Sequence, residues 1–117
     1  KSFLLREDVI EVVVPGLEGE MGILKDHISI ISFLKPGIIK IFCKSLQEHF
    51  YVEDGVLEFK DNNLSILTSS IFNIKDFDKN KINEIIKEAE IKLENNKITD
   101  QNKYLIDQKI NVLKSLN

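Results

Sequence analysis

The hydrophobic period of this chain changes once, close to residue 75, and that change limits the folds open to it. From Asp76 onward the apolar residues recur at helical spacing: Ile82, Ile85, Ile86, Ala89 and Leu93 form one stripe. Leu105, Ile106, Ile110, Leu113 and Leu116 form a second. Asp78 is placed to cap the first helix, Asn95-Asn96 to end it, and Thr99 to cap the next. Only a few residues separate the two, so they turn back as an antiparallel hairpin. Each helix of about 16 residues measures about 24 Å, close to the length at which isolated helices are marginal.

Before residue 75 the pattern is that of short strands and turns. The runs are Asp8 to Val14, Ile28 to Leu34, Ile38 to Lys44, His49 to Glu53, Val56 to Lys60 and Leu64 to Ser69. Within the third, Ile39, Ile41 and Cys43 face one way and Lys40, Phe42 and Lys44 the other. Turn signals recur at intervals of about 8–12 residues, which suits a sandwich or barrel rather than alternating βα units. The expected class is α+β: an antiparallel β-sandwich over 1–75, then an antiparallel two-helix hairpin over 76–117.

The stretch Pro15 to Gly37, PGLEGEMGILKDHISIISFLKPG, starts where the first run ends and takes in the second, with its glycines between the two. Gly16, Gly19 and Gly22 are spaced by three, and a Pro-Gly pair stands at each end. Glycine accepts positive φ and Pro-Gly favours tight turns, so this reads as a surface loop between strands. It would present Glu18, Glu20, Met21 and His27. A nucleotide loop is rejected, because a phosphate cradle needs a helix directly behind the glycines, and Ile28 to Phe33 is a strand by composition.

The charge balance excludes further classes. A formal charge of -3 argues against nucleic acid. Seven Lys or Arg oppose eleven Asp or Glu in residues 1–74, whereas nine oppose eight in 75–117. Cys43 is the only cysteine, which points to a reducing compartment and to a small buried apolar side chain. His27 and His49 are the only histidines, and no Cys or His pair has metal-ligand spacing, so no metal site and no catalytic residue is expected. Asp26-His27 beside Ser29 could be drawn as a hydrolytic set, but adjacent residues rarely face one another well enough for a relay. His27 either hydrogen-bonds within its loop or meets a partner. No run approaches the ~20 apolar residues of a membrane span.

Two stretches carry a resemblance to a known family. One is Pro15-Gly16-x-x-Gly19-x-x-Gly22-Ile23-Leu24, then His27, then Leu34-Lys35-Pro36-Gly37. The other is Tyr51-Val52-Glu53-Asp54-Gly55-Val56-Leu57-Glu58-Phe59, then Asn63-Leu64-Ser65-Ile66-Leu67. Both resemble the epsilon subunit of F-type ATP synthase of the bacterial type, equivalent to the mitochondrial delta subunit. The chain departs from it at Lys25-Asp26, where the family has Pro-Gly, and at Asp54, where it has a first glycine. The resemblance also implies a further strand before Lys1.

That family implies a non-catalytic central-stalk rotor subunit joining the gamma shaft to the c ring, with no cofactor of its own. It would lie peripherally at the cytoplasmic face of the bacterial inner membrane, reaching the membrane only through protein partners. By position, Glu20, Met21, Gly22 and His27 would face the c ring. In some members the hairpin binds ATP; here Asp78 and Lys81 are a weak remnant, since Arg6 is the only arginine and lysine lacks the planar fork that clamps phosphate. In others the hairpin opens toward the catalytic beta subunits and blocks ATP hydrolysis, a regulatory role for which Lys103, Lys109 and Lys114 would serve as helix contacts. The alternative is a sandwich-plus-hairpin binding module of an unrelated assembly.

Overall fold

The structure, a computed structural model, describes residues 2–95 and 97–116. It forms two compact units, divided between Lys75 and Asp76. The first holds nine strands: β1 (Ser2–Arg6), β2 (Val9–Gly16), β3 (Gly19–Leu24), β4 (Ile30–Leu34), β5 (Gly37–Cys43), β6 (Gln47–Val52), β7 (Gly55–Lys60), β8 (Asn63–Thr68) and β9 (Ile71–Asn73). All ladders are antiparallel, in the order β1-β8-β7-β4-β2-β5-β6-β9, with β3 added on β2. The β4–β2 step consists of a single pair, Gly16 opposite Leu34. The sheet therefore folds there into two layers, β1-β8-β7-β4 and β3-β2-β5-β6-β9. This is the expected antiparallel sandwich.

Alternation along the strands builds the core. Leu57 and Phe59 of β7 and Leu64 and Ile66 of β8 point inward from one layer. They meet Val12 and Val14 of β2, Ile23 of β3, Ile39 and Ile41 of β5, and Phe50 and Val52 of β6. Each such side chain contributes about 1.5–3 kcal/mol by leaving water. Cys43 is half-buried and packs against the same cluster.

Two elements differ from the sequence reading. Gly19–Leu24 is not a loop but strand β3, paired with β2 from Gly16 opposite Gly19 to Glu11 opposite Leu24. The only connection is Leu17-Glu18, and Gly19 takes φ 131° to close it. Among the described residues β3 bonds to β2 alone, and Ile23 anchors it in the core, so this edge strand tolerates its glycines. Ser2–Arg6, which none of the runs named above covers, forms β1 along β8, from Ser2 opposite Thr68 to Arg6 opposite Leu64.

The second unit is the helical hairpin, α1 (Lys79–Leu93) and α2 (Asp100–Ser115). Asp78 caps α1 by accepting from Lys81 N at 2.7 Å, and Thr99 caps α2 by accepting from Asn102 N at 3.1 Å. Ile82, Ile86 and Ala89 of α1 and Ile110 and Leu113 of α2 are buried. α1 ends at Leu93 with Glu94 as its cap; of the predicted stop Asn95-Asn96, the second residue lies outside the described residues, as does Lys1.

Candidate docking surface

A sandwich layer with water on its outside alternates apolar in and polar out. The outer face of β1-β8-β7-β4 breaks that rule. Phe3 stands opposite Leu67, Leu67 opposite Val56, and Val56 opposite Phe33. These four side chains form one apolar row across four strands. Phe3 and Phe33 are each 62% exposed. Two residues along, a second row runs Leu5, Ser65, Glu58, Ile31, with Leu5 59% and Ile31 65% exposed. Strand spacing puts the outer members of each row roughly 14 Å apart and the rows roughly 7 Å from one another. Leu17, at the β2–β3 turn, joins Phe33, Val56 and Leu67 around a shallow depression that extends the field. Scattered exposed apolar residues are ordinary, but a contiguous field marks an interaction site.

The end of the layer nearest Leu17 is stiffened by Asp54. Its carboxylate accepts from Ser69 N at 2.9 Å, Ser69 Oγ at 2.7 Å and Thr68 Oγ1 at 3.4 Å. Asp54 is not among the residues with positive φ, so the position does not require the family's glycine. Gly55 does require one: φ is 140°, and a Cβ there would drive into the Leu67 carbonyl and lie 3.1 Å from Thr68 Cα.

At the opposite end Asp26 takes φ 67°, the left-handed conformation that the family's glycine would supply. Asn62 holds it there: Asp26 N donates to Asn62 Oδ1 at 2.7 Å, and Asn62 Nδ2 donates to Asp26 Oδ1 at 3.1 Å. His27 Nδ1 donates to the Ile28 carbonyl at 2.7 Å, which fixes the proton on that nitrogen. Asp26 and His27 are thus committed to different partners, and the two do not form a relay towards Ser29. Among the described residues no group of three His, Cys, Asp or Glu could hold a metal ion. Burial, aided by Glu53, pushes the Tyr51 phenol well above its ordinary pKa, so it stays neutral.

The other sequence-predicted residues are placed as follows. Glu20 and Gly22 are exposed on β3, whereas Met21 between them is half-buried against the core. His27 lies beyond the far end of β3 and is exposed, so the four line a strand rather than share a loop tip. Asp78 is occupied in capping, on the amide of Lys81. Lys103 and Lys114 are close to three turns apart and lie on one side of α2; Lys109, half-buried, is turned away from them.

The sequence reading missed the apolar rows and one further contact. Arg6 of β1 grips Glu48 of β6 with two bonds, Nε to Oε1 at 2.6 Å and Nη2 to Oε2 at 2.9 Å. Its guanidinium also lies over the Phe50 ring, 5.7 Å from the centroid. β1 and β6 belong to different layers, so this fork clasps the open side of the sandwich. The signal for the rows was present in IISFL, VLEF and LSILT, where positions on both faces are apolar.

An apolar sheet face that spans four strands is the feature of a protein that docks on a partner. Residues 1–74 match the family described as the ATP synthase delta/epsilon chain, β-sandwich domain. The chain is 74% identical over 117 residues to the ATP synthase epsilon chain of Pelagibacter ubique (strain HTCC1062), covering all of this chain and 90% of that one. It is 35% identical over 80 residues to the mitochondrial ATP synthase subunit delta of Schizosaccharomyces pombe (strain 972), 67% of this chain and 48% of that protein. Its fold resembles a chain in the cryo-EM structure of the Euglena gracilis mitochondrial ATP synthase, OSCP/F1/c-ring. The TM-score is 0.66 at 20% identity, covering 92% of this chain and 68% of that one. The chain therefore belongs to the delta/epsilon family of ATP synthase subunits and is of the epsilon type. No described helix is long and apolar enough to cross a membrane.

Proposed function

We propose that this chain is the non-catalytic rotor subunit that fastens the gamma shaft of ATP synthase to the ring of c subunits. The observation that carries the reading is the row Phe3, Leu67, Val56, Phe33 on the outer face of the first layer. A part that transmits torque needs a stiff body and a broad desolvated contact, and a sheet supplies both at once. The gamma subunit covers this face, which accounts for apolar side chains where a sandwich would otherwise carry polar ones.

The c ring is contacted along β3. This strand has an unpaired edge among the described residues, with Glu20 and Gly22 facing outward, Met21 anchoring it from within, and His27 at its end. Lys103 and Lys114, on one side of α2, offer the hairpin's contacts to the catalytic beta subunits, while Lys109 is turned away from them; Asp78 with Lys81 is too poor in arginine to hold ATP tightly. On this reading the chain lies peripherally at the cytoplasmic face of a bacterial inner membrane, held there through its protein partners.

Mixing the chain with its cognate gamma-containing catalytic head and separating by size tests the reading. Co-elution at one copy per gamma is expected. A well-folded chain that elutes alone would overturn it.

A further inference from the structure

One charged side chain interrupts the apolar field. Glu58 of β7 sits between Ile31 of β4 and Ser65 of β8, and its neighbour along the same face is Val56. It is exposed, and among the described residues it makes no ion pair. The nearest cation on its own strand is Lys60, two residues on at the end of β7. A partner that covers Ile31, Phe33, Val56 and Leu67 must also take the Glu58 carboxylate out of water. A carboxylate so buried without a partner is penalised heavily enough to reject a surface that is apolar throughout.

We propose that Glu58 is the specificity-determining residue of this face, and that the gamma subunit sets a cationic side chain, arginine or lysine, against it within an apolar ridge. The inference rests on the docking reading above. Three observations converge on it. Glu58 has Ile31 on one side and Ser65 on the other in its own row, and the apolar row lies directly beside it at Val56, so it stands inside the field, where side chains that dominate binding cluster. The sandwich half carries eleven acidic residues against seven basic ones, so its field draws a basic partner surface. A lone carboxylate also discriminates, since any apolar surface without the matching cation pays its desolvation unrecompensed.

The test measures affinity of the full chain for the gamma-containing head at low and high salt, for wild type, Glu58→Gln, Glu58→Leu and Phe33→Ser. Glu58→Gln keeps the shape and removes the charge; Glu58→Leu enlarges the apolar field. Because Glu58 is exposed, the urea midpoint of both variants should match wild type. The expected result is binding about tenfold weaker for Glu58→Gln, weaker again for Glu58→Leu, with a smaller salt dependence in both. Glu58→Leu binding as tightly as wild type, while Phe33→Ser binds more weakly, would overturn the role of Glu58 and leave the docking face standing. Unchanged binding in Phe33→Ser would overturn both.

Discussion

Removing one guanidinium should loosen the whole sandwich, because Arg6 joins its two layers at the side where no ladder does. The Arg6 side chain is 31% exposed and that of Glu48 13%, so the pair stands between a surface ion pair and a buried one. Exposed pairs contribute about 0.2–1 kcal/mol, and hydrogen bonds to charged groups about 1.5–3 kcal/mol. Two short bonds in a planar fork place the coupling at about 1–2 kcal/mol. Arg6→Ala should cost more, about 2–3 kcal/mol, because it also removes the contact over Phe50 and strands the Glu48 carboxylate. Arg6→Lys keeps the charge but not the fork, and should recover less than half of that loss.

The assay is a double-mutant cycle with Arg6→Ala and Glu48→Gln, followed by urea unfolding at several pH values. The bond from Arg6, and then its charge, hold the Glu48 carboxyl below its ordinary value, while burial acts the other way. A carboxylate with a lowered folded pKa adds stability that is complete above the unfolded value of about 4.3 and disappears as pH falls through the folded value. The coupling should therefore be constant from pH 7 down to about 5 and shrink below about 4. A coupling under about 0.5 kcal/mol at pH 7, or one that survives at pH 2, would refute the clasp.

Three further outcomes follow from the same geometry. Gly55→Ala and Gly19→Ala share positive φ, but only Gly55 has backbone in the way. Urea unfolding should show a loss of about 1–2 kcal/mol at Gly19 from strain alone, and at least about 3 kcal/mol at Gly55. Asp78→Ala and Thr99→Ala each remove a cap and should lower hairpin helicity, by circular dichroism, with a loss of about 1 kcal/mol apiece. Asn62→Gly relieves a left-handed asparagine (φ 65°) but cuts both bonds to Asp26, so stability should fall or hold rather than rise; a gain above about 1 kcal/mol would show that the Asp26 clamp contributes nothing.

Much of the architecture was legible because it depends on local period. The alternation in Ile38 to Lys44 and the stripe from Ile82 to Leu93 each identify an element without knowledge of its neighbours. β3 was hidden for the opposite reason. Gly19 and Gly22 weaken strand propensity, and only the register with Val13 and Gly16 shows them paired. β1 was hidden because five residues carry too little pattern. Arg6 read merely as an arginine missing from the hairpin, since its partner is 42 residues away and nothing local points to Glu48. The docking face is a property of register as well: Phe3, Phe33, Val56 and Leu67 become a row only when three ladders are aligned.

The most direct measurement compares wild type with the double variant Phe3→Ser, Phe33→Ser in binding to the gamma-containing catalytic head, by calorimetry over a range of temperature. Both side chains are exposed, so the variant should unfold at a urea midpoint close to wild type. The docking account predicts affinity reduced at least about 100-fold and a smaller negative heat-capacity change on binding, since two aromatic rings no longer leave water. Equal affinity and an equal heat-capacity change would mean that this face points to solvent in the assembly, and the account would be wrong.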